Sequence, residues 1–124
     1  MPRPLLLQRV KRLQPEALST AGVNQATLSA QLVERQALRF TPAGIPVSDL
    51  KIVHQSEVQE AGQTRTVGFE MQAIALGELA HQTQAAPLEA RLKLTGFLAP
   101  RTKQSKSLVF HITGLETMQS STEN

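Results

Sequence analysis

Positively charged side chains cluster at one place in this 124-residue sequence. The segment from Arg101 to Ser107 holds three cations and no acid, and it separates two stretches that alternate as β-strands do. Cations on a flexible loop can neutralise phosphates and release counterions without reading a base sequence. A merely solvated loop is the plainer alternative. We name residues 101–107 the basic loop. The candidate DNA-binding cations in it are Arg101, Lys103 and Lys106. Two more candidates, Arg91 and Lys93, lie on the polar face of the strand that leads toward this loop.

Aromatic rings that could stack on bases are scarce. The chain has four Phe, no Trp and no Tyr. Phe97 shares a strand face with Arg91 and Lys93 and is the best stacking candidate. Phe40, just before a turn, is a similar candidate for stacking. Phe69 alternates with an apolar set, so we expect it to be buried. Charge would therefore dominate any contact with a nucleic acid.

Histidine and acidic side chains do not form a pattern that catalysis or metal binding requires. His54, His81 and His111 are isolated in sequence and lack metal-ligand spacing. Glu57 and Glu60 share a predicted hairpin, but no activated serine or phosphate-binding glycine loop accompanies them. A solvated turn, or a surface for a basic partner, explains these two acids better. The chain has no Cys, which excludes thiolate zinc sites and cysteine nucleophiles. We expect no enzyme activity, metal or cofactor.

Charge and length point to one small domain. The net charge is +3, but residues 1–23 alone carry four cations and one acid, so the rest of the chain is nearly neutral. No apolar run is long enough to span a bilayer, and we expect no membrane partner. The absence of Cys suits the reducing cytoplasm, which is the expected location.

The elements that must position these residues follow a period of two from residue 24 onward. Apolar side chains occupy every second position from Val67 to Ala75, and again from Leu88 to Leu98, with polar residues between most of them. Such alternation is typical of half-buried strands. The sequence predicts five strands, at 25–35, 46–55, 67–75, 88–98 and 108–115.

The connections between these strands predict the fold. A Pro- and Gly-containing turn at 41–46 follows the first strand, and the chain reverses at 59–63. Residues 76–86, which end before Pro87, suit a short helix or helical loop between strands three and four. An insertion after the third strand and long loops after the first and fourth are the order of an all-β, five-stranded OB-fold Greek-key barrel. We expect a flexible N-terminal extension at 1–23, the OB-fold domain at 24–118 and a disordered tail at 119–124.

A small barrel of this kind leaves exposed strand edges, which a second chain commonly covers. The outer face of the first predicted strand is the candidate for a two-fold contact in a homodimer. Its side chains are Thr27, Ser29, Gln31 and Val33.

The turn after the first strand also carries a family resemblance. Residues 39–47, with the sequence RFTPAGIPV, resemble the first-loop motif of bacterial single-strand-binding OB-folds, in particular the primosomal replication protein N (PriB) family. The similarity continues through the hairpin at 54–62 and through Gly96, Phe97 and Leu98, and covers residues 24–118. Family members can present aromatic rings from the third strand and the hairpin before it. This chain has Gln63, Thr64, Thr66 and Gly68 there.

The resemblance implies a homodimer that binds single-stranded DNA and bridges the restart helicase PriA and the loader DnaT at abandoned replication forks. A general single-strand coat protein is the nearest alternative, although such proteins usually have more stacking rings and a glycine-rich linker with an acidic tip. A protein-interaction OB module without DNA binding is the third possibility.

Overall fold

A computed structural model describes residues 21–118. Most of the predicted N-terminal extension and the whole predicted tail, 119–124, lie outside the described residues. Within 21–118 no helix is long and apolar enough to cross a membrane. Six strands and one helix are present in this part of the chain: β1 Ala26–Arg35, β2 Arg39–Phe40, β3 Pro46–Glu60, β4 Gln63–Leu76, α1 Glu78–Ala85, β5 Arg91–Pro100 and β6 Leu108–Thr117.

The five long strands close into a barrel. They follow the order β1-β5-β6-β4-β3, and β1 pairs with β3 to complete the ring, while the two-residue β2 lies at the edge of β3. All pairings are antiparallel except β4 with β6. This is the predicted OB-fold barrel, and the helix lies in the predicted place between the third and fourth long strands.

The barrel interior is filled by the apolar face of each strand. Its most completely buried large side chains include Leu32, Leu50, Ile52, Leu94 and Phe110, each 2% exposed or less. Helix α1 covers the end of the barrel where β3 begins and β4 ends, with Ala80 and Thr83 buried. The Arg35 guanidinium donates hydrogen bonds to the Thr83 and Ala86 carbonyls, so a cation from β1 satisfies the C-terminal end of this short helix.

The hairpin between β3 and β4 is longer than predicted. The two strands pair without interruption from Val47 and Leu76 to Glu60 and Gln63, and Ala61 and Gly62 form the turn with positive φ. The β1–β3 ladder ends at Val53, and β6 pairs with β4 only at Ala73 and Ile74. Residues 55–69 therefore extend beyond the barrel wall, and we name them the projecting hairpin.

The expectation that Phe69 is buried is wrong. Its side chain lies on the projecting hairpin, beyond the barrel wall, and is 39% exposed. One side of the ring contacts His54, with centroids 4.9 Å apart. Alternation predicted the correct face for Phe69, but no strand lies across from that face.

Two further expectations about strands need correction. The strand predicted at 88–98 begins only at Arg91, because Glu89 has a φ of 67° and the Ala90 amide donates to the Pro87 carbonyl in a turn. The premise that β1 is an exposed edge is also wrong over part of its length. Its first half pairs with β5 and its second half with β3, and Gln31 has a partner on both sides.

Candidate functional site

A groove of about 590 Å³ crosses the outer wall of the barrel. It runs between the segment around β2 on one side and the start of the basic loop on the other, over β3, β4 and β6. Its polar and charged lining comes from Gln36, Arg39, Asp49, Gln72, Arg101, Thr102 and His111.

Strand register places four of the residues in and beside this groove in one row across the sheet. Asp49 lies opposite Ile74, Ile74 opposite His111, and His111 opposite Phe97. Residues directly opposite one another in neighbouring strands share a face of the sheet. The row therefore extends on the outer face from an acid on β3 to a ring on β5.

Two stacked rings form one end of the row. The rings of Phe97 and His111 are 4.7 Å apart between centroids and only 12° from parallel. Both side chains are half-buried, so the pair is held in place yet reachable from solvent. Phe97 thus has the outward orientation predicted from its strand face. His111 was not selected as a binding residue, although its position between Phe110 and Ile112 already placed it on the outer face.

Gly96 permits the close approach of strands that brings these rings together. A Cβ at Gly96 would lie 1.8 Å from the His111 carbonyl oxygen, far inside van der Waals contact. The register of β5 and β6 also shifts between Thr95 and Gly96. Glycine is therefore needed here for close packing of two backbones.

An ion pair forms the opposite end of the groove. Arg39 on β2 donates to both carboxylate oxygens of Asp49 on β3, with Nε 2.6 Å from Oδ2 and the second nitrogen 3.1 Å from Oδ1. The hydrogen bond to Asp49, and then its negative charge, raise the pKa of Arg39. The bidentate contact fixes the guanidinium plane while leaving donors directed away from Asp49. Arg39 belongs to the turn motif but was not selected as a binding residue.

The basic loop is an ordered turn that carries its cations outward. The Arg101 amide donates to the Ser107 carbonyl at 3.0 Å, and Ser107 donates to the Ser105 hydroxyl at 3.0 Å. Arg101, Lys103 and Lys106 are all exposed, and Arg101 lines the groove. The loop thus adds positive charge beside the ring pair.

The structure does not bring Arg91 and Lys93 to the basic loop. Arg101 lies eight positions after Lys93 along this strand, or roughly 26 Å at about 3.3 Å per residue. Glu116 lies opposite Lys93 in the register of β5 and β6. Arg91 lines a separate groove of about 370 Å³ with Gln31 and Gln55. The predicted cations therefore fall into two groups at opposite ends of β5.

The other candidate residues lie away from the groove. His54 is buried on the inner face, where its Nδ1 donates to the Ser29 carbonyl at 2.7 Å and its Nε2 accepts from the Ser56 hydroxyl at 2.8 Å. Glu60 pairs with Arg65 at 2.6 Å across the projecting hairpin. Among residues 21–118, no three His, Asp or Glu side chains are grouped as a metal site would require.

The predicted dimer face is partly exposed. Thr27 and Gln31 are exposed, whereas Ser29 and Val33 are half-buried. In the first half of β1, the edge that faces away from β5 has no strand partner within the described residues. Phe40, the other ring considered for stacking, is 60% exposed beside the turn at 41–45.

An outer groove between the first and last long loops of a closed barrel is where OB-folds bind oligonucleotides and oligosaccharides. A family model described as "another single-strand binding protein family" matches residues 24–114. The fold is shared with the single-stranded DNA binding protein from Thermus aquaticus, at a TM-score of 0.64 and 23% identity, over 82% of this chain and 52% of that one. The protein is thus an OB-fold of the single-strand-binding class.

Closer relatives identify the family within this class. The chain is 43% identical over 90 residues to replication restart protein PriB of Bordetella pertussis, which covers 73% of this chain and 84% of that protein. A solved structure of PriB from Ralstonia solanacearum aligns with a TM-score of 0.73 and 36% identity, over 79% of this chain and all of the other. The chain belongs to the PriB family.

Proposed function

We propose that this protein is a non-enzymatic accessory factor of replication restart that binds single-stranded DNA in the groove between β2 and the basic loop. The observation that carries the proposal is the groove itself, with Arg39 at one end and Arg101 beside the Phe97–His111 pair at the other. The PriB names of its relatives support the role in replication restart.

Binding would rest mainly on charge. Each exposed cation of the basic loop can neutralise a phosphate, and the stacked rings offer a platform for one base. Hydrogen-bond readout of base edges is not required for either contact. The protein would therefore hold single strands of any sequence in the cytoplasm.

We further propose that the protein acts as a homodimer and bridges the restart helicase PriA and the loader DnaT with DNA at stalled forks. The PriB family membership supports this assembly. The first half of β1 has no strand partner on the side away from β5, although the Ser29 carbonyl accepts from His54, and Thr27 is exposed. This part of the strand offers a two-fold contact.

The test is the salt dependence of binding to labelled oligothymidine and oligoadenosine, measured by fluorescence anisotropy. Replacing Arg101, Lys103 and Lys106 with Ala should flatten the slope of log K against log salt by about two units, at about 0.7 per phosphate contact. Both oligonucleotides should be weakened alike, because phosphates carry no sequence information.

Two controls accompany this triple variant. Arg91→Ala with Lys93→Ala removes charge from the distant end of β5 and should change the slope less. Phe97→Ala should leave the slope unchanged and cost roughly 1 to 3 kcal/mol, the usual value of one stacked base. A folded triple variant that binds like the parent at low salt would contradict the proposal and favour a protein-interaction OB module.

A further inference from the structure

The two ends of the barrel differ in how they are covered. Helix α1 packs over one end, but at the other end the inner faces of four strands finish in partly exposed apolar side chains. Leu28, Met71 and Leu98 are half-buried and pack against the core, whereas Leu108 is 50% exposed. We name this end, together with Phe69, the barrel mouth.

The projecting hairpin extends the apolar surface of the mouth. Val58 and Val67 lie on the same face of the hairpin as the core residue Ile52, because inner-facing positions repeat every second residue. Val58 is 42% exposed. Polar side chains share this face, since Val58 lies opposite Arg65 and Val67 opposite Ser56. Exposed apolar side chains grouped at the end of a barrel are nevertheless typical of a site that another segment covers.

The chain enters the barrel at this mouth. The Asn24 side chain donates to the Leu98 carbonyl at 2.7 Å and accepts from the Leu98 amide at 3.1 Å. Val23 beside it is 92% exposed. The described chain begins at residue 21, only three positions before this Asn24 anchor, so the preceding sequence is joined to the protein at the mouth.

The sequence that precedes this point suits the mouth chemically. Residues 1–20 include six large aliphatic side chains, four cations and one acid. Twenty residues can span up to about 66 Å, which is ample to reach any part of the mouth. The three cations of the basic loop on one side would repel this segment. The projecting hairpin on the other side carries Glu57 and Glu60 against one cation, Arg65, which pairs with Glu60, so its net charge is −1.

We propose that the barrel mouth is a docking site and that its occupant is residues 1–20 of the same chain. The aliphatic side chains, Leu5, Leu6, Leu7, Val10, Leu13 and Leu18, supply the apolar cover. The basic loop lies on one side of the mouth and the projecting hairpin on the other. The difference in charge between them directs the cations of the segment toward the projecting hairpin. This inference is independent of the proposed DNA binding.

The test uses the absence of Trp from the chain. In the full chain, Phe69→Trp places a single fluorescent reporter in the mouth. Adding Leu5→Ser, Leu6→Ser and Leu7→Ser should raise the acrylamide quenching constant of this reporter about twofold. Without these apolar contacts, residues 1–20 would dissociate from the mouth more often and expose the reporter to acrylamide. Gln8→Ser with Gln14→Ser is the matched control in the segment and should leave the quenching constant unchanged.

A second reporter and a second method complete the test. Phe40→Trp at the helix-covered end should respond to none of these changes. Hydrogen exchange at Phe69–Met71 in chains without Trp should speed up when the three leucines are replaced, which holds even if Phe69→Trp disturbs folding. Equal quenching and equal exchange with and without the three leucines would overturn the proposal. Protection of the reporter from acrylamide that increases with protein concentration would also overturn it, because a second copy of the chain would then be the occupant.

Discussion

Arg39 and Asp49 illustrate how one pair of side chains sets the charge of the groove. The hydrogen bond to Asp49, and then the charge of that carboxylate, raise the pKa of Arg39, so the pairing favours the charged form of the guanidinium. Its positive charge is nevertheless largely offset by the carboxylate 2.6 Å away. Arg39 is thus better suited to donate hydrogen bonds or to stack on a base than to neutralise a phosphate.

Replacement of Asp49 tests this interpretation. Asp49→Asn keeps a hydrogen-bond acceptor beside Arg39 but removes the negative charge, so Arg39 should gain one effective phosphate contact. We expect tighter DNA binding at low salt and a slope of log K against log salt that steepens by about 0.7. Anisotropy over a salt series measures both quantities.

The control for Asp49→Asn is Glu34→Gln, which removes an equal charge from an exposed acid that pairs with Lys51 at 3.7 Å. Glu34 does not line the groove, so this variant should change the slope less. Identical behaviour of the two variants would assign the effect to net charge alone.

Sequence patterns predict some of the groove residues but not their contacts. The basic loop and the outward face of Phe97 follow directly from composition and alternation. The stack of Phe97 on His111 depends on a register shift between β5 and β6, and the Arg39–Asp49 pair depends on a two-residue strand. Neither of these pairings has a local sequence signal.

At the scale of elements, Gly96 controls how closely β5 approaches β6. Gly96→Ala should lower the free energy of unfolding by roughly 1 to 3 kcal/mol or more, because overpacking forces the backbone to shift. The Phe97–His111 pair should be disturbed with it, so DNA binding should weaken as well. Urea denaturation and anisotropy report the two effects.

Gly68→Ala is the matched substitution in β4. A Cβ there would meet only the His54 carbonyl oxygen, at an ordinary distance of 3.6 Å. Its stability should remain within about 1 kcal/mol of the parent. If the two alanine variants are equally stable, close approach at Gly96 does not determine the packing of the two strands.

The elements themselves were largely predictable. Alternation predicts all five long strands, and Pro87 marks the end of the region that holds α1. The extension of β3 and β4 into the projecting hairpin was not predicted, because residues 56–66 are mostly polar and lack an apolar period. Backbone pairing maintains the ladder there, together with polar side-chain contacts across the hairpin, Gln59 with Thr64 and Glu60 with Arg65.

At the scale of the whole molecule, the edge of β1 that lacks a strand partner, in the first half of that strand, bears on oligomeric state. We expect light scattering at micromolar concentration to give twice the chain mass of 13.5 kDa. Thr27→Glu would place like charges near the two-fold axis and should shift the protein toward monomer.

Thr66→Glu on the projecting hairpin is the corresponding control and should leave the mass unchanged. A parent protein that is monomeric at this concentration would refute the dimer. An equal loss of mass in both variants would place the contact somewhere other than β1.

The pairing of β1 with β5 also determines when the protein can fold. Ala26 pairs with Gly96, seventy positions later in the chain. A ribosome that adds about 5 to 20 residues per second needs roughly 3.5 to 14 s to synthesise that interval. During this time Leu28 and Ala30 lack their strand partners on β5. A nascent chain stalled before β5 would therefore expose an unpaired, apolar strand. Such a chain would be prone to associate with other nascent chains on the same mRNA.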